Sequence, residues 1–560
     1  VTGAATGRTS GGSGPARWAR LRRGLVAGVG TALAAALVPA PAGAAPVPAP
    51  RAEAAAEAPP PAWEPCPEGV GQEGLPPLEC SSVAVPLDHG DPARGSIDLA
   101  LYRAALPAGA PRPPRVLFVN SGGPGGEASL LTSLVSATYP APVRARYDVV
   151  GVDPRGVGRS VPVSCLPPVT GGPVPTPDQR LVTPAQRRAA VAAGAAVAAG
   201  CFARSGDLVP YLSTEQTARD FDVVRAALGQ RTAAFVGYSY GTLLFARYAT
   251  LFPTRVERLV LDSAVDPATW GQRFFAERVQ PFEDRLVDWA GWAARYDDRL
   301  GLGAQRWRVL RTYDAAVAGL ARRPVVVDGT PVGAGDLQGV LGQAMYSDAL
   351  WPAAAQALGL VRALQTGAAA SAAQRAAGAL LPGAAAALPT PGPDNQPSAL
   401  YSVLCNDGAF PDRPGPVLRD VDRALRTAPR LGAIQASAGL PCVSWPLDPV
   451  RPVVRDVPGG PVPLVVQARR EAVTPYPMGP AMAAATGGRL LTVTGGNHTH
   501  VGLALEPCTD RVVTAYLLRG RLPREGAVCG GAPLPVPPAP TAATAPSPVE
   551  AARSALLRRG

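Results

Sequence analysis

The chain of 560 residues contains no lysine, so all 53 of its basic residues are arginine. It has only three histidines and three methionines, aromatic residues make up 6%, and charged residues 17%. Each scarcity limits what the protein can be. Abundant Ala, Gly, Pro and Arg without Lys is the composition a GC-rich coding sequence writes, so a net charge of +11 says little about partners. Five arginines (Arg8, Arg17, Arg20, Arg22, Arg23) fall in the first 44 residues, which carry no acid. Without them the balance is 48 basic against 42 acidic residues, spread thinly, which is no nucleic-acid footprint. No run of eighteen apolar residues free of charge or Pro/Gly breaks is present, which excludes a stable membrane anchor. No cysteine spacing matches a zinc ligand set.

What is present is a large apolar fraction, 47%. It is enough for a substantial core and, by length alone, for about three or four domain-sized units. The basic segment Arg17 to Arg23, the apolar stretch Gly24 to Val38 and the small-residue site Ala42-Gly43-Ala44 read as a signal peptide over 1–44, removed near Ala44. Secretion is the localisation this predicts. Ala45 through Ala62 read as an Ala/Pro-rich linker (45–62). The eight cysteines are even in number, and in an oxidising compartment they read as disulfides. Pairing of sequence neighbours, the simplest choice, gives Cys66–Cys80, Cys165–Cys201, Cys405–Cys442 and Cys508–Cys529.

From Cys80 onward short β-rich runs appear at Ser82 to Leu87, Ile97 to Arg103, Arg115 to Asn120 and Asp148 to Val152. Ser213 and Gln216 form a capping-box pattern ahead of an amphipathic helix that stops at Gly229. A buried strand (Ala233 to Gly237), a helix (Tyr240 to Leu251) and a strand (Arg258 to Ser263) follow. The alternation predicts an α/β fold with a mostly parallel sheet. It vanishes over 268–455, which is helical and Ala-rich, and resumes at Val462 to Gln467 and Arg489 to Thr494. One core, 63–267 and 456–529, interrupted by a helical lid insertion at 268–455, fits this rhythm better than independent domains. Residues 530–560, rich in Pro and Ala, read as a disordered tail.

Gly237-Tyr238-Ser239-Tyr240-Gly241 is a G-x-S-x-G placed between a strand and a helix. There a sharp turn needs glycine on both sides and lifts the serine hydroxyl to the sheet's carboxyl edge. Ser239 is therefore the expected nucleophile of an α/β-hydrolase, and the Tyr240 amide an expected oxyanion donor. A serine hydroxyl needs a base oriented by an acid. His89 precedes every core strand that could place it. His498 and His500 follow the late strand, in the chain order Ser, acid, His. His498, directly after Gly495-Gly496-Asn497, is the favoured base. Glu471, the only carboxylate in the loop after Val462 to Gln467, is the favoured acid, with Asp262 and Asp266 as competitors. The strand Arg115 to Asn120 leads into Ser121-Gly122-Gly123-Pro124-Gly125-Gly126, whose Gly123 amide can supply the second oxyanion donor. Gly123-x-Gly125-x-x-Ala128, with Asp153 downstream, also fits a degenerate dinucleotide fingerprint; Pro124 and the serine elbow argue against it.

These strings resemble exported tripeptidyl aminopeptidases of the α/β-hydrolase fold, relatives of prolyl aminopeptidases. The matching segments are Asn120 to Gly126, Asp148-Val-Val-Gly-Val-Asp-Pro-Arg-Gly-Val-Gly-Arg-Ser160, Gly237 to Thr242, Thr474-Pro475, and Cys508 with Tyr516-Leu517 and Cys529. The chain departs from the family twice: Glu471-Ala472 stands where Asp-Pro is usual, and Thr499 follows His498 where Gly is usual. The resemblance implies a serine exopeptidase that releases short peptides, tripeptides in this family, from free peptide or protein N-termini and needs neither a metal nor an organic cofactor. Such an enzyme requires a lid and a carboxylate for the substrate ammonium, and Glu277 and Glu283 on the lid's first helical stretch are the candidates. An esterase or lipase, and a hydrolase-fold binding protein that has lost catalysis through its altered acid loop, are the alternatives. Oligomeric state is left open.

Overall fold

A computed structural model of the chain describes residues 59–106, 112–113, 115–167, 174–381, 394–456 and 458–538. The expected signal peptide at 1–44, most of the 45–62 linker and residues 539–560 of the expected tail lie outside these.

Twelve strands are present among the described residues: β1 (Glu64–Pro65), β2 (Leu78–Pro86), β3 (Ser96–Ala104), β4 (Arg115–Asn120), β5 (Tyr147–Val152), β6 (Ala233–Tyr238), β7 (Val256–Asp262), β8 (Val325–Val327), β9 (Thr330–Val332), β10 (Leu464–Ala468), β11 (Arg489–Val493) and β12 (Val528–Cys529). Ten of them form one sheet in the order β1-β2-β3-β5-β4-β6-β7-β10-β11-β12. The β1 to β3 edge runs antiparallel, while β5, β4, β6, β7, β10, β11 and β12 pair in parallel. Central strands covered on both faces read as near-continuous apolar runs, and all six residues of β6 and all five of β10 are buried, Gln467 being the polar exception in β10. One covering layer is aromatic, with Phe118, Phe221, Phe235, Phe245 and Tyr248 in ring contact at 4.4–5.4 Å. The other joins β4, β6 and β10 to the helix Pro507–Arg519 through Leu117, Val236, Val466 and Tyr516. The chain leaves β4 toward β5 on one side and returns through β6 on the other. A crevice is thereby left at the carboxyl ends of β4 and β6, where ligands bind in such sheets.

Between β7 and β10 the chain builds the lid, with helices Gln272–Ala294, Arg306–Arg322, Ala334–Ala344 and Trp351–Thr366 around their own core of Trp289, Trp292, Tyr313 and Trp351. The insertion is not purely helical, because β8 and β9 form an antiparallel hairpin inside it. Nor is it independent of the sheet: Ala399, Val403 and Leu404 of the helix Asn395–Asp407 are buried in the main core. The 22-residue helix Pro184–Ser205 was not anticipated, since only Gly194, Ala198, Gly200 and Cys201 on it are buried and the apolar period is faint. All eight cysteines are paired, as 66–80, 165–201, 405–442 and 508–529.

Two expectations need correction. The 530–560 segment was expected to lack structure, but its first part packs on the lid: the Pro535 carbonyl accepts the Trp292 indole N–H at 2.8 Å, and the Pro537 carbonyl accepts from Arg299 at 2.9 Å. A proline-rich strand has free carbonyls, and two long donors capture them. The Ser213–Gln216 capping box closes only halfway. Ser213 Oγ accepts the Gln216 amide, while the Gln216 side chain bonds the His89 amide and Asp88 instead.

Candidate active site

Ser239 sits between β6 and the helix Tyr240–Leu251 with φ 57°, a left-handed conformation that a non-glycine residue adopts only when its surroundings impose it. The crowding around the turn explains why Gly flanks it. A Cβ on Gly237 would come within 2.2 Å of the Gly241 carbonyl, and one on Gly241 within 2.7 Å of the Asn120 carbonyl. Ser239 Oγ makes no hydrogen bond among the described residues.

The Gly-rich loop after β4 lies against this elbow. A Cβ on Gly122 would fall 2.4 Å from the Tyr238 carbonyl and 3.0 Å from both Ser239 Cβ and the Tyr240 amide nitrogen. Asn120 Oδ1 accepts the Gly122 amide and holds the loop in place. The Gly123 amide makes no hydrogen bond among the described residues, and Tyr240, as the first residue of its helix, has no intrahelical partner for its own. Neither amide is therefore committed to another partner, and Tyr240 follows Ser239 directly.

Glu471 and His498 meet directly, Nδ1 of the ring against Oε1 of the carboxylate, both buried. Glu471 is held on every side: Oε1 also accepts the Thr474 amide at 3.1 Å and the Thr474 hydroxyl, and Oε2 accepts from Gln467 Nε2 at 3.1 Å. Gln467 in turn accepts the Ala264 amide at 2.8 Å. Thr474 and Gln467 were not singled out from sequence, although Thr474 lay in the Thr-Pro string that carried the family likeness. The His498 amide donates to the Tyr346 carbonyl at 2.7 Å, and the Tyr346 ring meets the imidazole edge-on at 5.5 Å.

The serine and histidine loops are tied together by Asp262 and Ser263. The Asp262 carbonyl accepts the Ser239 amide at 3.0 Å, and its carboxylate accepts the His500 and Val501 amides at 2.7 and 2.8 Å. Ser263 Oγ accepts the Thr499 amide at 2.8 Å. Ser239, Ser263 and Thr499 all have positive φ (57°, 58° and 72°), so three of the seven such non-glycine positions among the described residues meet at this knot. Thr499 thus adopts a backbone conformation that favours glycine.

The competing residues have other tasks. Asp262, fully buried, is pushed up to about 6 by burial, opposed by the charge of His500 and the two amides it accepts. His500 is bound through Nδ1 to Glu506 at 2.9 Å; burial would lower it, but Glu506 and Asp262 raise it to about 9. Asp266 caps a turn through the Ala268 amide. His89 bonds Asp220, which also receives the fully buried Arg155. Asp153 accepts the Ala128 and Arg159 amides and the Tyr102 hydroxyl, a structural role that leaves no ribose acceptor. The two lid acids expected to meet an ammonium are engaged elsewhere. Glu283 accepts from Arg430 Nη1, the Arg430 amide and the Gly432 amide, while Glu277 pairs with the exposed Arg273.

Comparison with known proteins decides the family. Residues 115–339 match the alpha/beta hydrolase fold model, and residues 428–529 match the model described as TAP-like protein. Tripeptidyl aminopeptidase of Streptomyces lividans is 34% identical over 85% of this chain and 87% of its own length. The chain belongs to the tripeptidyl aminopeptidase family of α/β-hydrolases. This family member is accordingly a serine peptidase by fold and relationship. Serine protease Hip1 of Mycobacterium tuberculosis is 29% identical over 84% of the chain and 91% of its own length. Carboxylesterase B of the same organism is 29% identical over 84% and 90%. Among the described residues no helix is long and apolar enough to cross a membrane.

Proposed function

We propose that the protein is an exported serine exopeptidase that releases tripeptides from free N-termini through an acyl-enzyme. The observation that carries the reading is the convergence of the Ser239 elbow and the Glu471–His498 pair on Asp262–Ser263. In this mechanism Ser239 Oγ attacks the scissile carbonyl carbon and passes its proton to His498 Nε2. Glu471 keeps the Nδ1 proton facing it and stabilises the imidazolium as it forms. The Tyr240 and Gly123 amides receive the oxyanion. Collapse breaks the C–N bond, and His498 gives its proton to the departing amine. Water then repeats the sequence on the ester and frees the peptide. Release of three residues is the activity named for the Streptomyces relative, and four disulfides suit an oxidising compartment.

Tripeptidyl p-nitroanilides with free and acetylated N-termini test this reading. Acetylation should reduce kcat/KM at least about tenfold, and mass spectrometry should find intact tripeptides as products. Equal hydrolysis of both forms would sink the exopeptidase assignment. A second reading, an esterase, is favoured by the carboxylesterase relative; turnover of p-nitrophenyl esters without any peptide turnover would establish it. Failure of Ser239 to label with a fluorophosphonate would instead indicate a binding protein.

A further inference from the structure

Four arginines are buried among the described residues, and three of them face a carboxylate: Arg155 faces Asp220, Arg225 faces Asp222 and Arg285 faces Asp348. The fourth, Arg278, faces none. It is only 8% exposed, its Nε has no hydrogen-bond partner, and its single polar contact is a long one (3.4 Å) from Nη2 to the Tyr346 hydroxyl. Phe274, Phe275 and Phe282 surround the guanidinium, with ring centroids 5.1, 5.9 and 5.0 Å from its carbon. Aromatic faces offset part of the cost of burying a cation, but they leave its in-plane donors unused. A buried guanidinium normally has a carboxylate on that fork.

Its position says where the missing partner comes from. Arg278 lies on the inward stripe of the lid helix Gln272–Ala294 with Phe274, Phe275, Phe282 and Arg285. At one end the stripe reaches the nucleophile: Phe274 touches Trp270 at 5.3 Å, and Trp270 touches Tyr240, next to Ser239, at 5.5 Å. At the other it reaches the histidine loop, where Arg285 fills the space that a Cβ on Gly496 would need. Between these ends, Arg278 meets Tyr346, the residue that packs on His498. The helix therefore spans the cleft from the serine side to the histidine side, with the unpaired cation in the middle of its span.

We propose that Arg278 binds a carboxylate of the peptide substrate, so that the enzyme prefers peptides carrying a negative charge near the scissile bond. The proposal rests on the peptidase reading above. A peptide can present that carboxylate from its own C-terminus, when the leaving fragment is short, or from an aspartate or glutamate side chain. Either fits the planar fork bidentately.

The test uses the full secreted chain and matched pairs of substrates: tetra-alanine as acid and as C-terminal amide, and tripeptidyl p-nitroanilides with Glu or Gln at each position in turn. In at least one pair the carboxylate member should have a kcat/KM about tenfold higher, carried mainly in KM, and the pair that shows it identifies the source. R278M should bring that ratio to about one, and R278K should retain part of it because a lysine keeps the charge but not the fork. Equal rates within every wild-type pair would overturn the proposal without any variant; so would a preference that survives R278M or, should that variant not fold, is undiminished in R278K. If Ser239 labels with a fluorophosphonate but no peptide is cleaved, the peptidase reading fails separately. Arg278 is then judged on p-nitrophenyl hexanoate against the p-nitrophenyl monoester of adipic acid, where equal rates overturn its role.

Discussion

Ser239 and Asp262 are joined through the backbone: the serine amide donates to the aspartate carbonyl at 3.0 Å. The same aspartate holds the far side of the site, since its carboxylate accepts the amides of His500 and Val501. One residue at the end of β7 thus joins the Ser239 turn to the His498 loop without touching Ser239 Oγ or the His498 ring. It is also the carboxylate that competes with Glu471 for the role of triad acid, and the two roles predict different variants. An Asp262→Asn side chain keeps an oxygen for the two amides, so kcat should fall about tenfold or less, whereas Glu471→Gln removes the charge that stabilises the imidazolium and sets its NH2 against that of Gln467, and should cost on the order of a thousandfold or more. Steady-state kinetics on the two variants decides between them, and the reverse ranking would make Asp262 the acid.

Ser239→Ala and His498→Ala should each abolish nearly all turnover, and the double variant should be little worse than either. Groups that act as one unit are not additive, and the remaining rate comes from binding and the oxyanion donors. His500→Ala should retain far more activity, because its ring is occupied by Glu506 and its amide contact to Asp262 belongs to the backbone. A His500→Ala defect exceeding that of His498→Ala would reverse the assignment of the base.

His500 also predicts a pH dependence of stability. The carboxylates around it are Glu506 at 2.9 Å, Asp262 and Glu471, and together they lift it from its ordinary 6.5 to about 9 despite burial. A histidine whose folded value is raised stabilises the protein fully below its unfolded value, and that contribution is lost as pH rises through the folded value. Stability should therefore decline between pH 6.5 and about 9, by roughly 1–3 kcal/mol from this group. Urea unfolding across that range should show the decline in the wild type and a much flatter profile in His500→Gln. An identical slope in both would assign the effect to other groups.

Much of this was legible in the sequence because it depended on local rules. The strand Arg115–Asn120 and the helix Tyr240–Leu251 have the limits their apolar pattern and flanking glycines predict. The turn that carries Ser239 and the contact between Glu471 and His498 lie where strand ends and chain order put them, and the cysteines join their sequence neighbours. What was not legible depends on contacts between distant segments. No spacing pairs Glu283 with Arg430, 147 residues away. Nor does the pattern around Glu277 and Arg273 reveal that Arg278, Phe274 and Phe275 lie on the buried side of the helix. The docking of Pro535 on Trp292 is equally invisible, as a carbonyl acceptor carries no side-chain signature.

The oxyanion loop supports the sharpest structural prediction. Gly122 has φ 87°, and a methyl group there would approach the Tyr238 carbonyl to 2.4 Å and the Tyr240 amide nitrogen to 3.0 Å. Both obstacles are backbone of the nucleophile elbow, which packs in the sheet core and cannot yield as a flexible side chain would. Gly122→Ala must therefore displace the loop that carries the Gly123 amide, the donor expected to face the oxyanion. Loss of one such donor typically lowers kcat by about 100-fold to 1,000-fold, because the interaction forms only as charge develops in the transition state. KM should change little, and the variant should still label with a fluorophosphonate, though slowly, since the Glu471–His498 pair lies outside the displaced segment. Gly126→Ala is the matched control on the same loop. Its nearest obstacle is the Ser121 hydroxyl, the end of a side chain, followed by the Gly122 carbonyl at 3.1 Å and Ser121 Cβ at 3.3 Å, all within the loop itself. A kcat loss in Gly122→Ala no larger than that in Gly126→Ala would remove the loop from the oxyanion site.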